Sequence, residues 1–234
     1  MKTTVAGKHQ INLKALAKEK RRFLRIFPEG FYDELYTQWE RDYKWEAHKL
    51  FKESLSKEEF KRLLHEGAFS TIATRALKVE GRTTFLFSFE KMALRDALRT
   101  ESGARGFAEG LYNFLYAPGP LKQRFIEWIV DFSKLPRIKA RVLSWPNLTI
   151  FPYLAQPSKY MILKPTAMNV AAQSLGFAFD YSSKPSFRTY ESLMQMADLT
   201  KEAIRDLKPR NYHDIQTFLW VIGSAEYERI FEEI

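Results

Sequence analysis

The sequence contains no cysteine, only four histidines and no long apolar run. Without cysteine there are no disulfide bonds, thiolate zinc sites, iron–sulfur centres or thiol nucleophiles. The histidines are scattered, with no two of them three or four residues apart, so no transition-metal site is predicted. No stretch of 18 apolar residues occurs, so we expect no membrane span. The expectation is a cytoplasmic protein without a cofactor.

The composition is that of a globular protein. Of its 234 residues, 45% are hydrophobic, 15% aromatic and 28% charged. This length gives one large domain or two small ones, with enough chain to bury a core. We expect a basic N-terminal arm over residues 1–27 and a helical half over 28–135. A mixed α/β half over 136–234 is expected to pack with the helical half as one globular unit.

The net charge of +9 is concentrated near the N-terminus. Residues 1–25 hold eight basic side chains and one acidic one, a net charge of +7, so the rest of the chain carries only +2. A smaller excess, of +4, lies at residues 120–142. Basic segments of this kind release counterions from phosphate backbones without reading the base sequence, although they also bind anionic lipids or simply remain solvated.

These two segments supply the candidate nucleic-acid contacts. In the second segment the basic residues alternate, which would place them on one face of an extended chain. The predicted phosphate-binding residues are Lys14, Lys18, Lys20, Arg21, Arg22, Arg25, Arg137, Lys139 and Arg141.

Most of the chain has the three- and four-residue apolar spacing of amphipathic helices. Three short segments are instead rich in β-branched and aromatic residues and predict strands: 83–89, 148–151 and 160–163. Five prolines between residues 136 and 165 also argue against a long helix there. The predicted fold class is therefore α+β, predominantly helical with a small sheet. Five large side chains are predicted to be largely buried: Trp39, Phe87, Trp128, Phe151 and Trp220.

A second candidate site is a pocket in the C-terminal half. Lys164 ends a predicted strand, and we expect Arg188 to lie near it on a concave surface. Cations and tyrosines in such a place suit a phosphate group or a stacked base, although cations packed around buried tyrosines would give the same pattern. Asp214 also fits the first turn of a helix that begins after Asn211. The candidate pocket residues are Lys164, Tyr181, Lys184, Arg188, Tyr190, Asp214 and Gln216.

Several segments together resemble one family pattern. They are residues 40–44 (ERDYK), residues 89–97 (FEKMALRDA), Trp145-Pro146 with Leu163-Lys164-Pro165, and residues 214–221 (DIQTFLWV). This pattern resembles an uncharacterised family of bacterial proteins, and the match runs through nearly the whole chain. The resemblance implies a bacterial, cytosolic, single-unit protein and carries no activity, ligand or catalytic residue.

Three functions are compatible with these patterns. The preferred one is a nucleic-acid-binding or accessory protein that contacts DNA or RNA phosphates through the basic arm and the 122–141 patch. The second is an enzyme that acts on a phosphorylated small molecule or nucleotide in the Lys164/Arg188 pocket. The third is a structural subunit that packs against a protein partner in a larger bacterial complex.

Overall fold

The computed structural model describes residues 10–233, which form helices joined by turns and short extended segments. No residue in that range lies in a β-strand. The predicted helical majority is therefore confirmed, whereas the predicted α+β class with a small sheet is wrong. Over the same range, no helix is both long enough and apolar enough to cross a membrane.

The described chain divides into two compact units. The first comprises residues 10–41, 163–183 and 188–233, and the second comprises residues 42–162 and 184–187. The first unit is thus assembled from segments that are far apart in sequence, so its core depends on long-range contacts.

The first unit is built around α12. Its helices are α1 (Leu13–Ile26), α2 (Glu34–Tyr36), α10 (Pro165–Ser174), α11 (Phe187–Ala203, in this unit from residue 188), α12 (Tyr212–Gly223) and α13 (Ala225–Glu233). Shorter turns are the 3-10 segments Gly30–Tyr32 and Arg205–Leu207 and the π-helical segment Thr37–Arg41.

Helix α12 is the central element because it packs against α1, α10 and α13. Gly223 permits the close approach of α10, since a Cβ atom at this position would lie 2.1 Å from the Ala167 carbonyl oxygen. On another side, the Phe23 ring of α1 lies 5.4 Å from the Phe218 ring, centroid to centroid. These contacts explain why α12 is buried on nearly every side.

The second unit is built around α7. Its helices are α3 (Asp42–Ser54), α4 (Lys57–His65), α5 (Phe69–Glu80), α6 (Ser88–Leu98), α7 (Glu101–Tyr116), α8 (Leu121–Ser133) and α9 (Trp145–Ala155). Helix α7 contacts α4, α5, α6, α8 and α9. At Gly110 a Cβ atom would lie 3.0 Å from the Trp128 ring, so the missing side chain lets α8 pack closely.

Helix α9 replaces the strand predicted at residues 148–151. Every residue of α9 is buried, and apart from Asn147 and Thr149 its residues are apolar or aromatic, so the sequence has no polar face with helical periodicity. Pro152 lies inside this helix and has no N–H group for the carbonyl of Leu148, four residues earlier. The indole N–H of Trp128 donates to that carbonyl instead, at 2.9 Å. A tertiary contact therefore makes the internal proline compatible with the helix.

We expect the Trp128→Phe variant to lower the free energy of unfolding by about 1–3 kcal/mol, because the buried Leu148 carbonyl loses its donor. The Pro152→Ala substitution restores a backbone N–H at this point. In the Pro152→Ala background the Trp128→Phe substitution should therefore cost measurably less. Urea unfolding of the wild type, the two single variants and the double variant tests the contact. If the Trp128→Phe substitution lowers the free energy of unfolding equally in both backgrounds, the contact is contradicted.

The strand predictions at residues 83–89 and 160–163 are also wrong. Residues 83–87 form bends without regular secondary structure, and α6 begins at Ser88. Residues 160–163 are buried and form neither a helix nor a strand. Both segments have the apolar, β-branched or aromatic residues that are typical of a strand, but each is a short connection between helices.

Burial of the five large side chains was predicted correctly only in part. Trp128 and Phe151 are buried, at 1% and 0% exposure. Trp39 and Phe87 are 47% and 60% exposed, so those two predictions are wrong, and Trp220 is intermediate. The error at Phe87 follows from the strand prediction, because the side chain lies at the start of α6 and not in a sheet.

The second unit buries a carboxylate at Glu80. Its side chain is fully buried, and the Nζ atom of Lys91 lies 3.2 Å from Oε1. Burial raises the pKa of Glu80, and the nearby Lys91 ammonium offsets this only in part. When burial raises the pKa of a carboxyl in the folded state, the folded protein favours the protonated carboxyl. This contribution to stability is complete below the pKa of the unfolded state, and it is lost as the pH rises through the folded-state pKa.

The Glu80→Gln variant should therefore be more stable than the wild type at pH 7, with the difference shrinking as the pH falls to 4.5. Glu59 gives a control of opposite sign, because hydrogen bonds from Arg62 and Arg75 lower its pKa to about 2. The Glu59→Gln variant should be less stable than the wild type at pH 7. Urea unfolding between pH 4.5 and 7 measures both differences, and a Glu80→Gln difference that does not change with pH would refute the assignment.

Candidate nucleic-acid interface

Helix α1 gives the basic arm an ordered, two-sided structure. It begins after Asn12, whose Oδ1 atom accepts hydrogen bonds from the backbone N–H groups of Lys14 and Ala15 at 3.0 and 3.1 Å. Phe23 and Ile26 are among the buried residues of one side, which packs in the first unit. Over its described residues the arm is therefore an integrated helix rather than a free tail.

The opposite side of α1 carries a row of cations, which we call the α1 stripe. It consists of Lys14, Lys18, Arg21 and Arg25, all exposed. Spacings of four, three and four residues place these side chains along one helix face, over about 16 Å of helix length. Within residues 10–233 none of the four lies within ion-pair distance of an acidic side chain. The stripe thus presents four uncompensated charges to solvent.

The other two predicted cations of the arm are held by acidic partners. Lys20 forms an ion pair with Asp206. Arg22 pairs with Glu19 at 3.0 Å and with Glu228 at 2.6 Å, and its guanidinium lies 4.2 Å from the centroid of the Phe231 ring. The contacts with Asp206, Glu228 and Phe231 attach α1 to other parts of the first unit. The structure thus separates the six predicted cations of the arm into four exposed ones and two paired ones.

The second basic segment lies in the second unit, between α8 and α9. Arg137, Lys139 and Arg141 are all exposed there, in a stretch without helix or strand. Two other cations of the 122–141 patch are engaged within the unit. Arg124 donates to the Phe114 carbonyl, and Lys134 lies 3.6 Å from Asp131.

The predicted pocket residues fall into two environments. Four are buried: Lys164, Tyr190, Asp214 and Gln216. Three are exposed: Tyr181, Lys184 and Arg188. Arg188 is paired with Asp180 at 3.0 Å, and Lys184 belongs to the second unit. The convergence of Lys164 and Arg188 on one concave surface stays a prediction.

Asp214 accepts hydrogen bonds at both of its carboxylate oxygens. Its Oδ1 atom accepts from the Tyr36 hydroxyl at 2.5 Å, from Arg41 at 3.0 Å and from Arg210 at 3.2 Å. Its Oδ2 atom accepts from the backbone N–H and from Nε of Arg210, at 2.7 and 3.0 Å. Burial and the adjacent Asp214 carboxylate raise the pKa of Tyr36 well above its usual range. We call these four residues the Asp214 cluster.

This cluster stabilises the start of α12. Asn211 caps the helix by accepting from the backbone N–H of His213 at 2.9 Å, as the sequence predicted. Asp214 lies in the first turn, where a negative charge is favourable. All the acceptor positions of the carboxylate are directed at protein donors, so the geometry is that of a structural ion pair.

Metal-binding geometry is also absent from the described part of the chain. No group of three or more histidine, aspartate and glutamate side chains in residues 10–233 is arranged to hold a metal ion. Comparison of the chain with protein-family models, with characterised proteins and with solved structures finds no match. The function must therefore be inferred from the surfaces of the molecule itself.

Two features of these surfaces were missed from the sequence. The first is the separation of the arm into a stripe and a paired set. The spacing of residues 14, 18, 21 and 25 places those four on one helix face, but the acids that pair with Lys20 and Arg22 are distant in sequence. The second is the exposure of Phe87 and Phe89. Glu90 was the available signal, because a glutamate at the third position of a helix typically binds the backbone N–H of the preceding cap.

Proposed function

We propose that the protein binds nucleic acid through the phosphate backbone, with the α1 stripe as the main contact. The observation that carries this proposal is the set of four exposed cations on one face of an ordered helix, none of them paired with an acid in the described chain. Each cation that meets a phosphate releases condensed counterions, and this release supplies the affinity.

The stripe favours binding without base specificity. Phosphate contacts position a protein on a nucleic acid but carry no sequence information by themselves. The helix is already folded and holds its four cations at fixed intervals. Only these side chains therefore need to become ordered when a phosphate backbone binds. The described neighbours Lys20 and Arg22 remain in ion pairs and hold the helix in place.

The pocket hypothesis receives less support. Asp214, the predicted acidic group, is fully buried and saturated by hydrogen bonds from Tyr36, Arg41 and Arg210. A general acid or base needs a position within hydrogen-bond reach of a substrate. The Asp214 carboxylate has no such position left, so an enzymatic role for this residue is not favoured.

Binding of the full chain to short DNA duplexes of unrelated sequence tests the proposal. If four cations each neutralise one phosphate, log K should fall against log salt with a slope of about −3.6, or about 150-fold between 50 and 200 mM. Affinities for the different duplexes should agree within about threefold, because phosphates are the contacts. Failure to bind any duplex at 50 mM salt would remove the proposal.

A further inference from the structure

The second unit exposes a group of apolar side chains at the start of α6. Phe87 is 60% exposed, Phe89 63% and Met92 57%. The two rings lie 5.8 Å apart, centroid to centroid, with 14° between their planes, which is a stacked arrangement. We call these three residues the Phe87–Phe89 platform. Aromatic rings held parallel at a surface offer flat faces to a planar ligand.

A buried carboxylate fixes the backbone that carries the platform. Glu90 is 5% exposed, and its Oε2 atom accepts from the backbone N–H of Phe87 at 3.0 Å. Its Oε1 atom accepts from the Ser144 hydroxyl at 2.9 Å. One side chain therefore links the start of α6 to the end of the segment that precedes α9.

The segment that precedes α9 also carries the second basic cluster. Arg141 lies only three residues before Ser144, and Arg137 and Lys139 precede it. The Asn147 amide donates to the Val142 carbonyl at 2.9 Å, which further anchors the chain between Arg141 and Ser144. The cations of residues 137–141 therefore belong to the chain segment that Ser144 joins to the start of α6.

Helix α6 adds positive charge along its exposed face. Arg95 and Arg99 follow Met92 at three- and seven-residue intervals, so they continue the platform along the helix. Arg95 is exposed, and Arg99 lies 3.8 Å from Asp96. The helix face that carries Met92 therefore also carries the exposed cation Arg95.

We infer that the Phe87–Phe89 platform, together with Arg137, Lys139 and Arg141, binds single-stranded nucleic acid. Aromatic faces stack on unpaired bases, and neighbouring cations follow the backbone. A duplex hides the faces of its bases, so the platform discriminates in favour of single strands. This inference takes nucleic acid as the ligand from the proposed function, but it concerns different residues in the other unit.

Single strands fit this surface better than a lipid bilayer does. Helices that lie in a membrane interface insert a continuous apolar face. The apolar face of α6 is used inside the unit, where Ala93, Leu94, Ala97 and Leu98 are buried. The platform is a local group of three side chains, which suits one or two stacked bases.

The experiment compares a fluorescein-labelled (dT)12 strand with a DNA duplex in binding to the full chain. In the Phe87→Ala/Phe89→Ala variant, affinity for (dT)12 should fall about 10- to 100-fold because base stacking is lost, with duplex affinity unchanged. The Phe89→Trp variant should retain binding to (dT)12. A matched control, Ile126→Ala/Val130→Ala, removes two exposed apolar side chains from α8 and should leave both affinities unchanged.

The cations are tested separately by the salt dependence of (dT)12 binding. The Arg137→Ala/Arg141→Ala variant should have a slope of log K against log salt that is smaller by about 1.4, since each single-strand phosphate contributes about 0.7. Equal (dT)12 affinity for the wild type and the Phe87→Ala/Phe89→Ala variant would overturn the inference while leaving duplex binding by the α1 stripe intact. Binding to anionic phosphatidylserine vesicles in place of (dT)12 would overturn it as well.

Discussion

Replacement of Asp214 by alanine is expected to lower the free energy of unfolding by about 3–5 kcal/mol, because it leaves Arg41 and Arg210 in a largely buried site without their carboxylate. The side chains of these arginines are only 12% and 28% exposed. The Tyr36 hydroxyl loses its acceptor in the same step. Urea unfolding followed by circular dichroism measures the change.

Asp206 provides the matched control for this prediction. It is also an aspartate in an ion pair of the first unit, but its side chain is 59% exposed. The Asp206→Ala variant should cost less than about 1 kcal/mol, as exposed pairs do. If the Asp214→Ala variant does not fold, Asp214→Asn keeps the shape and one acceptor and should give an intermediate loss. If the Asp214→Ala and Asp206→Ala variants lower the free energy of unfolding equally, the Asp214 cluster does not have the stabilising role assigned to it.

Removal of the α1 stripe should have the largest effect on binding. Replacement of Lys14, Lys18, Arg21 and Arg25 by alanine is expected to lower duplex affinity about a thousandfold at 0.1 M salt, since four counterion-releasing contacts are lost. The free energy of unfolding should change little, because the four side chains are exposed and alanine favours helix formation. Fluorescence anisotropy with a labelled duplex measures the affinity.

A control variant with the same change in net charge separates the stripe from charge in general. Lys52, Lys61, Lys78 and Lys159 are exposed cations of the second unit. Their replacement by alanine should leave duplex affinity within about fivefold of the wild type, because they form no row on one helix face. If this control variant loses as much duplex affinity as the stripe variant, binding depends on the overall net charge and not on the α1 stripe.

Helix boundaries could be predicted well from local signals. Ser56 caps α4 by accepting from the backbone N–H of Glu59, and Gly67 ends that region with a φ of +67°. Capping side chains and glycine turns act within a few residues, so they can be identified in a single sequence.

The sheet was predicted wrongly because composition alone does not separate a buried helix from a buried strand. Helix α9 has mostly apolar residues on all sides, and its internal Pro152 is one of the prolines that argued against a helix. The deciding contact, from the Trp128 indole to the Leu148 carbonyl, comes from a residue 20 positions away. Long-range donors of this kind cannot be identified from the spacing of residues in one segment.

The positive charge of the candidate site could be predicted from the sequence, but its division into exposed cations and ion-paired cations could not. Composition placed the positive charge in the arm, but Asp206 and Glu228, which neutralise Lys20 and Arg22, lie about two hundred residues further along the chain. The structure was needed to distinguish the cations held by these acids from those of the α1 stripe.

The salt dependence of duplex binding by an Arg21→Ala/Arg25→Ala variant tests the role of the α1 stripe most directly. With half of the stripe removed, the slope of log K against log salt should change from about −3.6 to about −1.8. The Lys52→Ala/Lys61→Ala variant should keep the wild-type slope. The same slope for all three proteins would contradict the assignment of phosphate binding to the α1 stripe.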